Sequence, residues 1–389
     1  MNYTDESVYF LYDTESPLAR TLSDAWITVL KNTEQKHGLL RASQWREKDR
    51  KIIIREFLSP PQPLYRGGLI NPDNPHLKEQ NRIITSHNIE ENKKIWLDHH
   101  IVLKTENSDE ALVDPQVESI KSELLSLPPG SIVILSQSTN FRLSTFRIRL
   151  ELFHRGVHVV EFNHLAYIPE NEIDTFTASL AYRTDEYVRM ENAMREKIGS
   201  TEITRIQSVN GEFLTFGPLE KIRGNTGDYS QVENKWGTFP IGEIFTEAID
   251  LSSVSGKCLI ESFPREDFSV EHCTPFELVI EHGRVLPSDH FPAEFQKLYD
   301  YIVQFEWEVM VRELGMGLNP AITTTTPLSD INFYERKIGI HLSLGKKHGI
   351  YGKKLPKTEV QRFHIDVFVA VEWVWIGEER VYGGGRWMI

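Results

Sequence analysis

The spacing of apolar and polar positions divides the chain into two textures. In the first half, apolar residues recur at helical intervals between short, wholly apolar runs. Residues 8–12 predict a strand. Ser16-Pro17 then offers an N-cap and a first-turn proline for a helix over 17–31, whose Leu18, Leu22, Ala25, Trp26, Val29 and Leu30 share one face. A second helix is predicted around 48–58, stopped by Ser59-Pro60-Pro61. Residues 59–112, rich in Pro, Asn, Gly and charge, read as a long irregular excursion, and Asp98-His99-His100 within it as a surface loop. From Asp114-Pro115 the signals sharpen. Val117, Ile120, Leu124 and Leu127 predict a helix ended by Pro128-Pro129-Gly130, and residues 132–135 a buried strand. Leu143, Phe146, Leu150 and Phe153 predict another helix that stops at Gly156, before a strand over 157–162. Strand, helix, strand implies a parallel sheet with a right-handed crossover. Tyr187, Met190, Met194 and Ile198 mark a last helix, ending at Gly199.

Beyond residue 200 the period shortens towards two. Asn210-Gly211 joins apolar segments at 203–209 and 212–216 into a hairpin, and His282-Gly283 does so for 280–286. One helix interrupts this texture, with Phe295, Leu298, Ile302, Phe305 and Val309 on one face, and is expected to reach Glu313. Residues 323–326 form a polar loop. The expected architecture is an α/β domain with a parallel sheet (1–199), followed by an α+β domain rich in antiparallel strands (200–389).

Two late strands carry polar residues inside apolar sequence. His341 sits within 338–344, and His364 and Asp366 open 363–371. Side chains alternate along a strand, so His364 and Asp366 point the same way. Two carboxylates elsewhere could complete a metal site. Glu243 lies in GTFPIGEIFTEA, where Pro240 and Gly242 shape a tight loop. Glu313 lies in VRELGMGLNP, where Gly315 and Gly317 permit close backbone approach. Two imidazoles and one carboxylate form the facial triad of non-haem Fe(II) oxygenases. Two further carboxylates allow two ions about 3.5–4 Å apart, the arrangement used for hydrolysis.

The 389-residue length favours two domains. A net charge of −13 argues against nucleic acid or an anionic membrane as the main partner. Cys258 and Cys273 are the only cysteines, which excludes a disulfide framework and a cysteine-rich zinc site. No secretory signal and no long apolar run is visible, so the cytoplasm is the expected location. No glycine-rich phosphate loop is present, and a nucleotide site is unsupported.

The segments GTFPIGEIFTEA, VRELGMGLNP, YERKIGIHLSLG and FHIDVF, in this order, resemble the thermophilic aminopeptidase T/S family of metallopeptidases. With the NGEFLTF hairpin and the helix before it, the resemblance covers about residues 190–389. It implies metal ligation by Glu243, Glu313, His341, His364 and Asp366, two ions (zinc or cobalt), and a homodimer. It further implies a water-activating site that removes N-terminal residues from a peptide or related small substrate. One position departs. The family's catalytic tyrosine, seven residues after the first histidine, is His348 here, and Tyr351 is three residues out of register. ELGMGLNP also resembles the branch containing ring-opening dihydroxypyridine dioxygenases, which use one Fe(II) held by two His and one Asp, matching His341, His364 and Asp366.

The expected function is therefore a metal-dependent, aminopeptidase-like hydrolase. Glu243 or Glu313 would combine ligation with general-base work, and His348 would donate to a tetrahedral intermediate. The alternatives are an Fe(II) dioxygenase and a non-catalytic relative that binds a peptide or a partner.

Overall fold

The computed structural model describes residues 7–14, 16–36, 51–56, 115–138, 151–229, 236–265, 269–348, 351, 354–356 and 359–389. The 59–112 excursion with Asp98-His99-His100, and most of the helix predicted from Leu143, lie outside them.

Contacts gather into two compact units. The first spans 1–173 and 229–239; the second spans 174–228 and 240–389. This differs from the division expected at residue 200. The helix Thr184–Gly199 belongs to the second unit, and a short strand returns to the first. Local periodicity marks elements, whereas unit membership is set by what each element packs against.

In the first unit, β1 (Ser7–Tyr12), β2 (Lys51–Glu56), β3 (Ile132–Ser136) and β4 (His158–Phe162) are joined by β8 (Trp236–Thr238). They form a parallel sheet in the order β2-β1-β3-β4-β8. Its core includes Tyr9, Leu11, Val133, Leu135, Val157 and Val159, with Ile120, Leu124 and Leu127 from α2 (Pro115–Leu125) and the turn after it. Helix α1 (Pro17–Lys36) is capped as its sequence implies, with Ser16 Oγ accepting from the Ala19 N–H at 3.1 Å. Gly130 and Gly156 take the positive φ angles of 86° and 71° that close the turns after their helices. The helix expected at 48–58 is instead strand β2. Ile52, Ile53 and Ile54 align with Val8, Tyr9 and Phe10 of β1, and three consecutive β-branched residues suit that pleated surface better than a helix.

In the second unit, β5 (Thr204–Ser208) and β6 (Phe213–Phe216) form the predicted hairpin, with Gly211 at φ 88°. The other strands are β7 (Arg223–Asn225), β9 (Glu243–Thr246), β10 (Ser255–Pro264), β11 (Val270–Glu281), β12 (Arg284–Val285) and β13 (Val311–Gly317). β14 (Gly339–Leu344), β15 (Ile365–Val369), β16 (Val371–Ile376), β17 (Glu379–Gly383) and β18 (Arg386–Trp387) complete it. All pairings are antiparallel, along the path β18-β17-β16-β5-β6-β10-β15-β14-β13-β9-β7. β11 lies beside β10, and β12 pairs with it through the predicted turn, where His282 and Gly283 both have positive φ.

The helix Ala293–Glu306 buries Phe295, Leu298, Tyr299 and Ile302, but it stops short of Glu313. Trp307 takes a left-handed conformation (φ 68°) and returns its N–H to the Val303 carbonyl, which ends the helix. Glu313 therefore sits on strand β13, between two pairing partners. No helix among the described residues is long and apolar enough to cross a membrane.

Candidate metal centre

Four neighbouring strands, β15, β14, β13 and β9, assemble the site, and their register determines which side chains meet. Glu313 lies opposite Ser343, and Ser343 opposite Asp366. Gly315 lies opposite His341 on one side and Phe245 on the other, and Gly317 opposite Glu243. Directly paired residues in antiparallel strands share a face, and so do residues two apart on one strand. Glu243, Glu313, His341 and Asp366 consequently project from the same face, and His364, two residues before Asp366, follows them.

Glycine makes this convergence possible. A Cβ on Gly315 would overlap the His341 ring, and one on Gly317 would overlap the Lys337 carbonyl. Gly242, at φ 110°, turns the chain into β9 just before Glu243. Glu243 thus opens a strand rather than standing in the loop ahead of it.

The five sequence-predicted ligands come together as two trios. Ligand atoms of Glu243, Glu313 and His341 lie within 4.8 Å of one another, as do those of Glu313, His364 and Asp366. Glu313 belongs to both. Its Oε1 is 3.5 Å from His341 Nε2, which is itself 3.3 Å from Glu243 Oε1. Its Oε2 is 3.9 Å from His364 Nε2, which is 3.6 Å from Asp366 Oδ1. His348 joins on this second side, with Nε2 2.8 Å from Glu313 Oε2. His364 Nδ1 meets the Lys347 carbonyl at 3.1 Å, a bond that directs Nε2 to the ligand cluster. Glu243, Glu313, His341, His348 and Asp366 are buried, whereas 32% of the His364 side chain remains open to solvent.

The ligand groups shift one another's titration strongly. Burial raises the Glu313 carboxyl, but the imidazoles of His341, His348 and His364 outweigh it and hold the group far below the ordinary carboxylate range. Burial alone would depress His341. The adjoining Glu243 and Glu313 carboxylates and the Asp366 charge instead push it up to about 10. Burial raises Asp366, opposed by His364 and His341 and reinforced by the charges on Glu313 and Glu243. Neither Asp366 Oδ1 nor His341 Nε2 has a well-aligned hydrogen bond, although both atoms are buried. One unbonded imidazole nitrogen in the first trio and one unbonded carboxylate oxygen in the second, around a shared carboxylate, fit divalent metal ions. Arg336 is the one guanidinium bordering the ligands among the described residues, with Nη1 3.4 Å from Glu243 Oε2.

Three charged residues that the apolar and polar pattern did not single out secure the segment carrying His348. Glu306, at the end of its helix, accepts the backbone N–H groups of Lys346, Arg362 and Phe363. Arg312 donates to the Lys346 and Tyr351 carbonyls. It also holds Glu247 Oε2 at 3.0 and 3.1 Å, with both side chains wholly enclosed. The available signal was Arg312 itself, a cation inside an apolar strand next to Glu313. The Tyr351 hydroxyl donates to the Lys221 carbonyl, and its ring packs edge-on against His348 with centroids 4.8 Å apart.

No family model matches the sequence, and no curated protein does. Solved structures do match its fold. A 2,5-dihydroxypyridine dioxygenase from Pseudomonas putida KT2440 superposes with a TM-score of 0.54 at 14% identity, over 98% of this chain and 92% of that one. AmpT, aminopeptidase T from Thermus thermophilus, gives 0.53 at 12% identity, over 100% and 95%. Likeness at such identity defines a shared fold, here one used by both a peptidase and an oxygenase. The family resemblance read from the sequence motifs is thus supported as a distant structural relationship.

Proposed function

We propose that the chain is a two-metal hydrolase of the aminopeptidase type, acting on a peptide or amide. The observation that carries this reading is Glu313, which turns one carboxylate oxygen to each ligand trio. A shared carboxylate between two three-ligand sets is the arrangement expected of paired ions, and zinc or cobalt suits the mixed nitrogen and oxygen donors. Two such ions would polarise an amide carbonyl and lower the pKa of the attacking water. The protein's own residues then divide the remaining work. Glu243, at the edge of the first trio, is the carboxylate assigned to take the water proton. His348 is assigned to return a proton to the leaving amine. Burial of all but the His364 edge excludes bulk water and strengthens each electrostatic contact.

The second reading is a single-iron dioxygenase using His341, His364 and Asp366, and the dioxygenase likeness favours it. The trios support it less well, because His341 groups with Glu243 whereas His364 groups with Asp366. Metal analysis of protein purified without added metal separates the readings. Two zinc or cobalt ions per chain, with release of amino acid from an aminoacyl arylamide, is the expected result. One iron with substrate-dependent oxygen uptake would overturn it, and a metal-free, inactive protein would overturn both.

A further inference from the structure

The face that carries the ligands also carries a neutral hydroxyl, that of Ser343. Ser343 is fully buried in β14, opposite Glu313 on one neighbouring strand and opposite Asp366 on the other. Directly paired residues bring their Cβ atoms to about 4.5–5.5 Å. Its side chain is therefore flanked by the residue whose carboxylate is common to both trios and by the aspartate of the second. Its Oγ has no hydrogen-bond partner among the described residues. An enclosed hydroxyl without a partner costs free energy that an alanine in the same place would not. The other buried unbonded atoms on this face, His341 Nε2 and Asp366 Oδ1, are metal-donor atoms. A serine hydroxyl is a poor ligand beside them, but unlike a carboxylate it carries a proton to donate.

We propose that the Ser343 hydroxyl is a hydrogen-bond donor to the substrate oxygen that gains charge during hydrolysis. This assignment rests on the two-metal hydrolytic reading. Addition of water to the amide carbon forms a C–O bond and moves the carbonyl π pair onto oxygen. The proton leaving the water passes to Glu243, His348 delivers one to the amine as the C–N bond breaks, and the proton on Glu243 restores His348 before the next turnover. Ser343 keeps its own proton throughout, so its contribution is directional. It favours the tetrahedral, charged oxygen over the planar carbonyl, and such differential binding lowers a barrier. The strand fixes where the hydroxyl stands, leaving only its χ1 rotation to adapt.

The test uses the full chain with its metals bound. Calorimetry compares aminomethylphosphonic acid, a tetrahedral mimic, with glycinamide, a planar one, on wild type, Ser343→Ala and Ser343→Thr. Ser343→Ala is expected to weaken the phosphonate roughly 10–100-fold. Glycinamide affinity and the metal content of two ions per chain should hold. On an aminoacyl arylamide, kcat should fall by a similar factor at unchanged KM, and Ser343→Thr, which retains a hydroxyl, should recover most of both losses. An unchanged phosphonate affinity at full metal content overturns the assignment while leaving the hydrolytic reading in place. Loss of metal from Ser343→Ala overturns it in favour of a structural role. A wild-type chain that binds no paired metals overturns the hydrolytic reading itself, and the Ser343 assignment with it.

Discussion

Strands β3 and β14 are almost equally enclosed, yet only β14 and its neighbours bury charged and titratable side chains beside their aliphatic ones. β3 reads IVILS and buries aliphatic groups, each contributing through apolar area removed from water. β14 reads GIHLSL, and with its neighbours β13 and β15 it buries Arg312, Glu313, His341 and Asp366. There the same enclosure opposes stability unless every charge finds a partner. Arg312 finds one in Glu247. The ligand cluster is answered only in part, leaving Asp366 Oδ1 and His341 Nε2 without aligned bonds. The contrast separates burial that makes the fold from burial that the fold supports for the sake of a site.

Substitutions at both kinds of strand test that contrast. Glu313→Gln should cause the largest effect, a fall in kcat of roughly 1,000-fold or more with loss of bound metal, because both trios lose their common carboxylate. The melting temperature of the metal-free protein, read by circular dichroism, should change far less than the activity. A variant that keeps two metals and normal turnover would collapse the distinction between the strands. Next in size is Arg312→Leu, which leaves Glu247 charged, enclosed and stripped of its main partner. It should destabilise by about 3–5 kcal/mol in denaturant unfolding. Leu135→Ala, in β3, should cost about 2–5 kcal/mol by cavity formation, and the folded fraction should retain the wild-type metal content. Loss of metal in that variant would show that the two kinds of burial are not separable.

The smallest effect per step is a pH dependence, about tenfold for each unit. In the metal-free protein His341 is raised from 6.5 to about 10, so it carries a proton across the neutral range. A metal takes only the neutral ring, so binding must release that proton, and affinity should climb with pH by about tenfold per unit until about pH 10. For the metal-free fold the sign is the reverse. The raised pKa stabilises fully below about pH 6.5, and this contribution is lost as pH rises through about 10. Metal affinity that stays flat between pH 6 and 9 would remove His341 from the ligand set.

Much of the fold was legible because strong local signals agreed with the final packing. Ser16-Pro17, Pro128-Pro129-Gly130, Asn210-Gly211 and His282-Gly283 each act within a few residues, and the structure uses all four as read. One helix prediction failed where tertiary pairing prevailed, and another held but ended earlier than expected. Lys51–Glu56 became a strand because β1 offered an edge beside it, and the helix before Glu313 ended at Trp307. The candidate ligands were legible as residue types in an unusual setting. Ser343 was not, since a serine in a strand looks ordinary until its neighbours are known.

By itself, the sequence determined which residues could hold a metal and which glycines had to stay small, since both follow from side-chain chemistry. Only the tertiary structure decided that Glu313 serves both trios, that His341 and His364 fall on different sides of it, and that Ser343 is flanked by Glu313 and Asp366. Those are consequences of strand register. A shift of one residue would turn every one of these side chains to the opposite face, and register is set by pairing between segments far apart in the chain.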